Sequence, residues 1–167
     1  AYTHYFDVPC GEAASANYYV NDDYDPATDI YCTAPGDDAN DGLTPATPKR
    51  TIQAIIDQYT LQGGNTVWID AGEYRTDKGI CLDYRDRGAE EHWLTFQGAV
   101  APNGEPAVSV RRTDSAGPVF SVADGSRYVQ LNGLRLAGGM HGIAINDRWT
   151  SSLTRDYFLE NLRISDT

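Results

Sequence analysis

The residues with the clearest capacity for chemistry are carboxylates, and they are concentrated near the amino-terminal end. Residues 1–48 contain nine Asp or Glu and no Lys or Arg, and seven of the nine are Asp between positions 22 and 41. Such a segment repels itself unless it is solvated, neutralised by cations or docked on a basic partner. One interpretation of this segment is therefore a solvated acidic surface.

A second interpretation of the same segment is a calcium site, because Ca²⁺ prefers clustered carboxylate and carbonyl oxygens. The candidate ligands are Asp37, Asp38 and Asp41. Their spacing does not follow the EF-hand loop, since Ala39 falls at a ligand position when Gly42 takes the glycine position. A calcium site here would be irregular, and the sequence indicates no other cofactor.

A polar loop near the carboxyl end contains the candidate glycan-binding residues Asp147, Arg148 and Trp149. An exposed indole there could stack on a sugar ring, whereas an indole folded back on the chain would only pack. Asp147 and Arg148, together with Arg155 and Asp156, are the best candidates for a catalytic cluster. The alternative, which we favour, is a solvated, salt-bridged loop. No triad order, phosphate-binding loop or HExxH motif is present, so the sequence predicts no catalytic residue.

The three cysteines bear on the compartment in which the chain folds. In an oxidising compartment Cys10 and Cys32 are the most suitable disulfide pair, closing a loop of about 22 residues that stabilises by roughly 3 kcal/mol. Cys81 lies in the apolar run Ile80-Cys81-Leu82 and is expected to be a buried free thiol. The alternative is three reduced cysteines in a cytosolic protein. No CxxC spacing typical of zinc or redox motifs is present.

Length, composition and charge exclude several classes of protein. The chain has 167 residues, which suits one domain. Its net charge of −11 argues against nucleic acid or an anionic membrane surface as a partner. No apolar run is long enough for a membrane span. The first residue is Ala rather than Met, which indicates a removed leader or a mature or cut end, and we expect a secreted or cell-surface protein.

One segment, about residues 48–62, predicts a helix. Pro48 suits a first helical turn, Thr47 or Thr51 could cap it, and Gly63-Gly64 ends it. Its apolar face is formed by residues at three- and four-residue spacing, namely Ile52, Ile55, Ile56 and Tyr59.

Short apolar runs separated by Gly, Asp and Asn predict strands in the rest of the chain. This pattern therefore predicts an all-β protein with one helix. The predicted strands are 18–20, 67–69, 80–82, 93–96, 107–110, 119–122, 128–131, 134–136, 143–145, 157–159 and 162–164.

An internal repeat indicates how these strands are arranged. Residues 131–136, LNGLRL, match residues 159–164, LENLRI, at an offset of 28. Each copy has an apolar residue, a bend of Asn or Gly and a further apolar residue, so the strand turns a corner and continues. A chain that does this once per repeat winds as a parallel β-solenoid. Arg135 and Arg163 then point outward between apolar neighbours.

Two segments closely resemble the amino-terminal region of right-handed parallel β-helix proteins of the pectate-lyase-like superfamily. Residues 36–55 read GDDANDGLTPATPKRTIQAI, and residues 64–74 read GNTVWIDAGEY. In that family the first stretch leads into a capping helix that plugs the barrel end, and the second is similar to the first strand and its bend. The resemblance covers roughly residues 18–167 and implies an all-β, right-handed parallel β-helix with one amino-terminal capping α-helix. Residues 1–17 are expected to form a separate arm.

The resemblance leaves the function open, because the superfamily includes lyases, hydrolases, epimerases, tailspikes and non-catalytic surface proteins. The residues after position 67 suffice for four to five coils. Our first interpretation is a secreted or cell-surface module, non-catalytic, with a structural, assembly or glycan-binding role and self-association through an open carboxy-terminal end. The alternative is the amino-terminal part of a polysaccharide lyase or glycoside hydrolase acting on acidic polysaccharide, with its catalytic coils beyond Thr167.

Overall fold

The computed structural model describes residues 15–122, 125–145 and 157–165. The regular secondary structure of this part of the chain is mostly short β-strands, with a single α-helix among the described residues. The elements in chain order are β1 Asn17–Val20, α1 Ile52–Gln58, β2 Thr66–Ile69, β3 Gly72–Thr76, β4 Ile80–Leu82, β5 Leu94–Gly98, β6 Val108–Arg112, β7 Pro118–Val122, β8 Val129–Asn132, β9 Leu134–Gly138, β10 His141–Ile145, β11 Tyr157–Glu160 and β12 Arg163–Ser165.

The strands form three sheets in which every pairing is parallel. The strand orders are β1-β2-β5-β8-β11, β3-β6-β9-β12 and β4-β7-β10. From β2 onward the chain therefore passes from sheet to sheet and returns to the first sheet at every third strand. None of these sheets closes into a barrel. The described part of the chain is all-β apart from one helix, and its parallel sheets are compatible with a solenoid.

The internal repeat is confirmed by the strand register. Leu159 pairs with Leu131 and Arg163 pairs with Arg135, so in these two strand pairs the stacked residues are 28 positions apart along the chain. Both arginines are exposed, as the alternation predicts. The two copies of the repeat therefore lie in successive passages of the chain through the sheets, and we call each such passage a coil.

Side chains that alternate along the strands fill a shared interior. In β5, Leu94, Phe96 and Gly98 are buried and the residues between them are only half-buried. Phe96 packs edge to face against Phe120 of another sheet, with ring centroids 5.5 Å apart. Fully burying a side chain of this size contributes about 1.5–3 kcal/mol. Other buried residues of this interior are Val67, Ile69, Leu82, Val108, Val110, Val119, Leu131, Leu134 and Leu136.

The helix is shorter than the predicted span of about 48–62, since it covers only Ile52–Gln58. Thr51 is its N-cap, as one of the two alternatives predicted. The residues before it stay extended because the N–H of Lys49 bonds the C=O of Tyr19 at 2.9 Å, beside β1. Pairing with β1 thus prevails over the helical start signal at Pro48.

The apolar face of the helix is confirmed, because Ile52, Ile55 and Ile56 are buried. Tyr59 has left the helix, with an extended backbone, and its ring lies 4.7 Å from that of Tyr18. Its position fixes the end of the helix earlier than Gly63-Gly64 suggested. Within the described ranges, no helix is long and apolar enough to cross a membrane.

The corner between the first and second sheets differs in length from coil to coil. Gly133 alone separates β8 from β9, with φ 68° in the left-handed region, whereas residues 99–107 separate β5 from β6. The N–H of Ala107 donates to the C=O of Ala99 at 2.9 Å and closes the base of that longer loop. The strands on both sides nevertheless keep their parallel register.

Two further details differ from the sequence-based expectations. The strand β3 was not predicted, and only Tyr74 of its five residues is buried. The expectation of a buried thiol at Cys81 is wrong, because Ile80 and Leu82 take the inward positions of β4 and leave Cys81 exposed.

Candidate functional site

The acidic segment folds as a loop whose carboxylates accept hydrogen bonds from the chain itself. Asp37 Oδ1 accepts the N–H of Ala39 at 2.9 Å. Asp38 Oδ1 accepts the N–H groups of Arg50 and Thr51 at 2.9 and 2.8 Å, and its Oδ2 accepts the Thr51 hydroxyl at 3.0 Å. Asp38 therefore holds the residues that lead into α1.

Asp41 has a similar role within the loop. Its Oδ1 accepts the N–H of Leu43 at 3.0 Å and the hydroxyl of Thr47 at 2.7 Å, and these bonds hold its pKa below the ordinary value. In the part of the chain that the structure describes, no group of three or more His, Cys, Asp or Glu is arranged to hold a metal ion. Calcium binding at Asp37, Asp38 and Asp41 stays a prediction, without a ligand cage in this geometry.

Lys49 lies beneath this loop and is only 2% exposed. Its Nζ donates to the C=O groups of Asp38 at 2.7 Å and Asn40 at 2.6 Å. A buried ammonium group requires such acceptors, because removal from water is otherwise very unfavourable. Lys49, which the sequence placed in the helix, is instead the internal anchor of the loop.

A buried carboxylate, that of Asp70, joins the acidic segment to the strands. Its Oδ1 accepts the N–H of Ile30 at 2.8 Å and of Ala71 at 2.9 Å. Its Oδ2 accepts the N–H of Tyr31 at 2.9 Å and of Cys32 at 2.7 Å. All four lone-pair positions are used, which is the arrangement that makes a fully buried carboxylate tolerable.

The end of β1 carries a polar pair that the sequence did not single out. Asn21 is fully buried, and its Nδ2 donates to Asp29 Oδ2 at 2.9 Å and to the C=O of Ala34 at 3.1 Å. Asp29 Oδ2 also accepts the N–H of Asp25 at 2.9 Å. The remaining oxygens, Asn21 Oδ1 and Asp29 Oδ1, are buried without a hydrogen-bond partner.

The acidic groups around this pair disfavour further negative charge. Burial raises the pKa of the Cys32 thiol, and the nearby carboxylate of Asp70 raises it further. Burial likewise raises the pKa of the Tyr74 hydroxyl, which donates to the C=O of Asp70 at 2.8 Å. Neither group is poised to act as a nucleophile, because the reactive form of each is the anion.

Two grooves lie next to this region. A groove of about 670 Å³ has one acidic wall and one small apolar wall, formed by residues that include Asp22, Asp23, Asp25, Asp29, Ala71, Val100 and Pro102. A groove of about 800 Å³ lies between α1 and β3 and carries both signs of charge, from Arg50, Arg75, Lys78, Asp22, Asp23, Glu73 and Asp77.

The last coil presents inward positions that no described residue covers. Leu159 is 49% exposed, although its partner Leu131 in the coil below is 1% exposed. Ile164 is 59% exposed, although its partner Leu136 is fully buried. The strands β10, β11 and β12 are the outer strands of their sheets at this end. We call this surface the open end.

Several predicted site residues lie outside the described residues. These are the glycan-binding candidates Asp147, Arg148 and Trp149, and Cys10 of the predicted disulfide. Cys32 is described and buried, and its Sγ lies 3.8 Å from the C=O of Val20. The pairing of Cys10 with Cys32 stays a prediction.

The sequence analysis did not identify Asp70 and Asn21, the two buried polar residues that hold the acidic segment against the strands. Asp70 directly follows the strand β2, and Asn21 directly follows β1. A polar residue placed immediately after a buried strand was the available signal, but its partners lie 38 to 40 residues away in the case of Asp70.

Comparison with known proteins adds no assignment to these features. No protein-family model matches the chain, and neither the curated proteins nor the solved structures give a match.

Proposed function

We propose that this chain is a right-handed parallel β-helix that serves as a non-catalytic structural module and assembles through its open end. The observation that carries the proposal is the exposure of Leu159 and Ile164 at positions that are buried one coil below. A further layer of β-structure would bury both side chains, and burial of exposed aliphatic surface favours association.

Three features support the β-helix itself. The chain returns to the first sheet at every third strand after β2, with parallel pairing throughout. Parallel strands joined by a crossover are right-handed in nearly all proteins. Residues 36–55 and 64–74 resemble the capping region of right-handed β-helices, and α1 contacts the first strand of the third sheet, where a cap would lie.

The use of polar side chains supports a structural role. Asp38 and Asp70 direct their oxygens to backbone N–H groups, and Lys49 directs its ammonium group to backbone C=O groups. Side chains bound in this way hold loops against strands. They are not free to exchange protons with a substrate.

The opposite end of the stack is covered, and this restricts how two copies can join. The N–H of Tyr19 in β1 donates to the C=O of Gly42 at 2.8 Å, and its C=O accepts the N–H of Lys49 at 2.9 Å. On β4 the N–H of Cys81 donates to Gln53 Oε1 at 2.8 Å. We therefore propose that a second copy binds open end to open end about a two-fold axis, with the outer strands antiparallel.

The test is sedimentation velocity of the full chain over about a hundredfold range of concentration. We expect a reversible dimer for the unsubstituted protein and a monomer for Ile164→Lys, because a lysine at the open end repels its copy. Ile30→Lys is the matched control, since Ile30 and Ile164 are both 59% exposed and Ile30 lies far from the open end. This control is expected to remain dimeric.

Three results would overturn the proposal. One is a monomer at every concentration, and another is equal loss of the dimer in Ile164→Lys and Ile30→Lys. The third is a native, unreduced polypeptide with an intact mass well above 18.3 kDa. That mass would indicate that the same polypeptide supplies the next layer.

A further inference from the structure

Two buried oxygens near the end of β1 lack a hydrogen-bond donor, and they belong to side chains that already touch. The Nδ2 of Asn21 donates to Asp29 Oδ2 at 2.9 Å, while Asn21 Oδ1 and Asp29 Oδ1 have no partner. Buried acceptors are almost always satisfied in folded proteins, so these two unpartnered oxygens require an explanation.

Reversing the amide of Asn21 does not remove the problem. The reversed group would direct Oδ1 at Asp29 Oδ2 and at the C=O of Ala34, and both of these are acceptors. The missing donor must therefore be a proton, a bound cation or a water molecule. Across the described ranges, no group of three or more His, Cys, Asp or Glu is arranged for a metal ion.

We propose that Asp29 carries a proton on Oδ1 in the folded protein and donates it to Asn21 Oδ1, forming a reciprocal amide–carboxylic acid pair. An amide and a carboxylic acid each offer one donor beside one acceptor, so one proton satisfies both unpartnered oxygens. The pair connects the end of β1 to the loop that follows it.

The surroundings of Asp29 favour the neutral acid. Burial raises the pKa of Asp29, and the charges of Asp70 and Asp22 raise it further, although hydrogen bonds from Asn21 and Asp25 act in the opposite direction. Asp70 already accepts four backbone N–H groups and needs no further donor. The titratable groups that face this site are Asp25 on its own loop, Asp22 after β1, Cys32 on the following segment, Asp70 after β2 and Tyr74 on β3.

The pair makes the attachment of this loop sensitive to pH. Because the folded protein holds the proton more tightly than the unfolded chain, the added stability is fully present below the ordinary Asp pKa of 3.8. It is lost as the pH rises through the higher pKa of the folded state. The segment from Asn21 to Ala34 is thus held more firmly in acid than in neutral solution.

The test compares Asp29→Asn with the unsubstituted chain by thermal unfolding at several pH values. An asparagine supplies permanently the donor that the acid supplies only when protonated. We expect Asp29→Asn to raise Tm by about 2–4 °C near pH 7, the shift of roughly one hydrogen bond in a chain of this size. The difference is expected to vanish as the pH falls toward the ordinary Asp pKa.

Asp25→Asn is the matched control, because it makes the same change of side chain in the same loop and retains the oxygen that accepts the N–H of Ala27. We expect its effect on Tm to be less than half that of Asp29→Asn. A direct readout is the ¹³C resonance of the Asp29 carboxyl group, which is expected to titrate above the ordinary Asp value.

Three outcomes would overturn the proposal. Titration of Asp29 at or below its ordinary pKa would assign the donor to water. A Tm that rises with millimolar Ca²⁺ in the unsubstituted chain but not in Asp29→Asn would assign it to a cation. A lower Tm for Asp29→Asn near pH 7 would show that no donor is required at this position.

Discussion

Asn161 lies one coil above Gly133, and both residues turn the chain with a left-handed backbone, at φ 49° and 68°. The N–H of Gly133 donates to the C=O of Glu160 at 3.3 Å, and the flanking strands pair at the same offset of 28 residues. Glycine adopts this conformation freely, and asparagine is among the few other residues that tolerate it. The same corner is therefore built twice with different residues.

Replacing Gly133 with alanine should lower the free energy of unfolding by more than the strain of a positive φ alone, because the added Cβ would also meet a neighbouring backbone. A Cβ there would lie 2.8 Å from the C=O oxygen of Gly98, whereas a Cβ at Gly104, also at positive φ, meets nothing within 4 Å. Gly104→Ala should cost about 1 kcal/mol, and Gly133→Ala a further 1–3 kcal/mol or so. Urea unfolding measures both, and equal losses would contradict the close approach at Gly133.

Replacing Lys49 with methionine should loosen the acidic loop. The substitution keeps most of the length of the side chain but leaves the C=O groups of Asp38 and Asn40 without their donor, with an expected loss of about 1–3 kcal/mol. Lys78→Met, at an exposed position, should change the free energy of unfolding by about 0.5 kcal/mol or less. A Lys49→Met variant as stable as Lys78→Met would show that the buried ammonium group contributes nothing.

Replacing Asp70 with asparagine should cost about 3 kcal/mol or more, because two of its four backbone donors would then face an NH₂ group. Asp23→Asn is the control, since it makes the same chemical change at an exposed site and should have little effect. Chemical denaturation measures the difference. Similar stability of the two variants would be incompatible with a carboxylate seated on four N–H groups.

The two described thiols should differ sharply in reactivity. In a Cys10→Ser background, Cys81 should react with a disulfide reagent such as DTNB in the folded state, because it is exposed. Cys32 should react only on unfolding, because it is buried and burial raises the pKa of its thiol. Loss of the fast phase in Cys81→Ser identifies it, and rapid modification of two thiols in the folded protein would contradict the burial of Cys32.

The features that could be predicted from the sequence are those set by local pattern. The apolar face of α1 follows from three- and four-residue spacing, and the match of residues 131–136 with 159–164 gave the register between two coils directly. Repeats of this kind can be recognised in the sequence because stacking places equivalent residues on top of one another.

The features that could not be predicted depend on contacts between distant parts of the chain. The strand β3 has one buried residue, Tyr74, so its sequence lacks the alternation that marks a strand. Asp70 reads as a turn residue until the loop around Tyr31 is brought against it. The helix start near Pro48 was displaced because Lys49 pairs beside β1, which no local signal reveals.

At the corner between the first and second sheets, the connection varies in length while the stacking of the strands stays the same. One coil crosses it with Gly133 alone, and another crosses it with residues 99–107, which are closed at their base by Ala99 and Ala107. Foreign peptides could therefore be grafted at Gly104, where an added Cβ would meet no atom within 4 Å. The coils would act as a rigid display scaffold, and evolution could vary this rim without redesigning the interior.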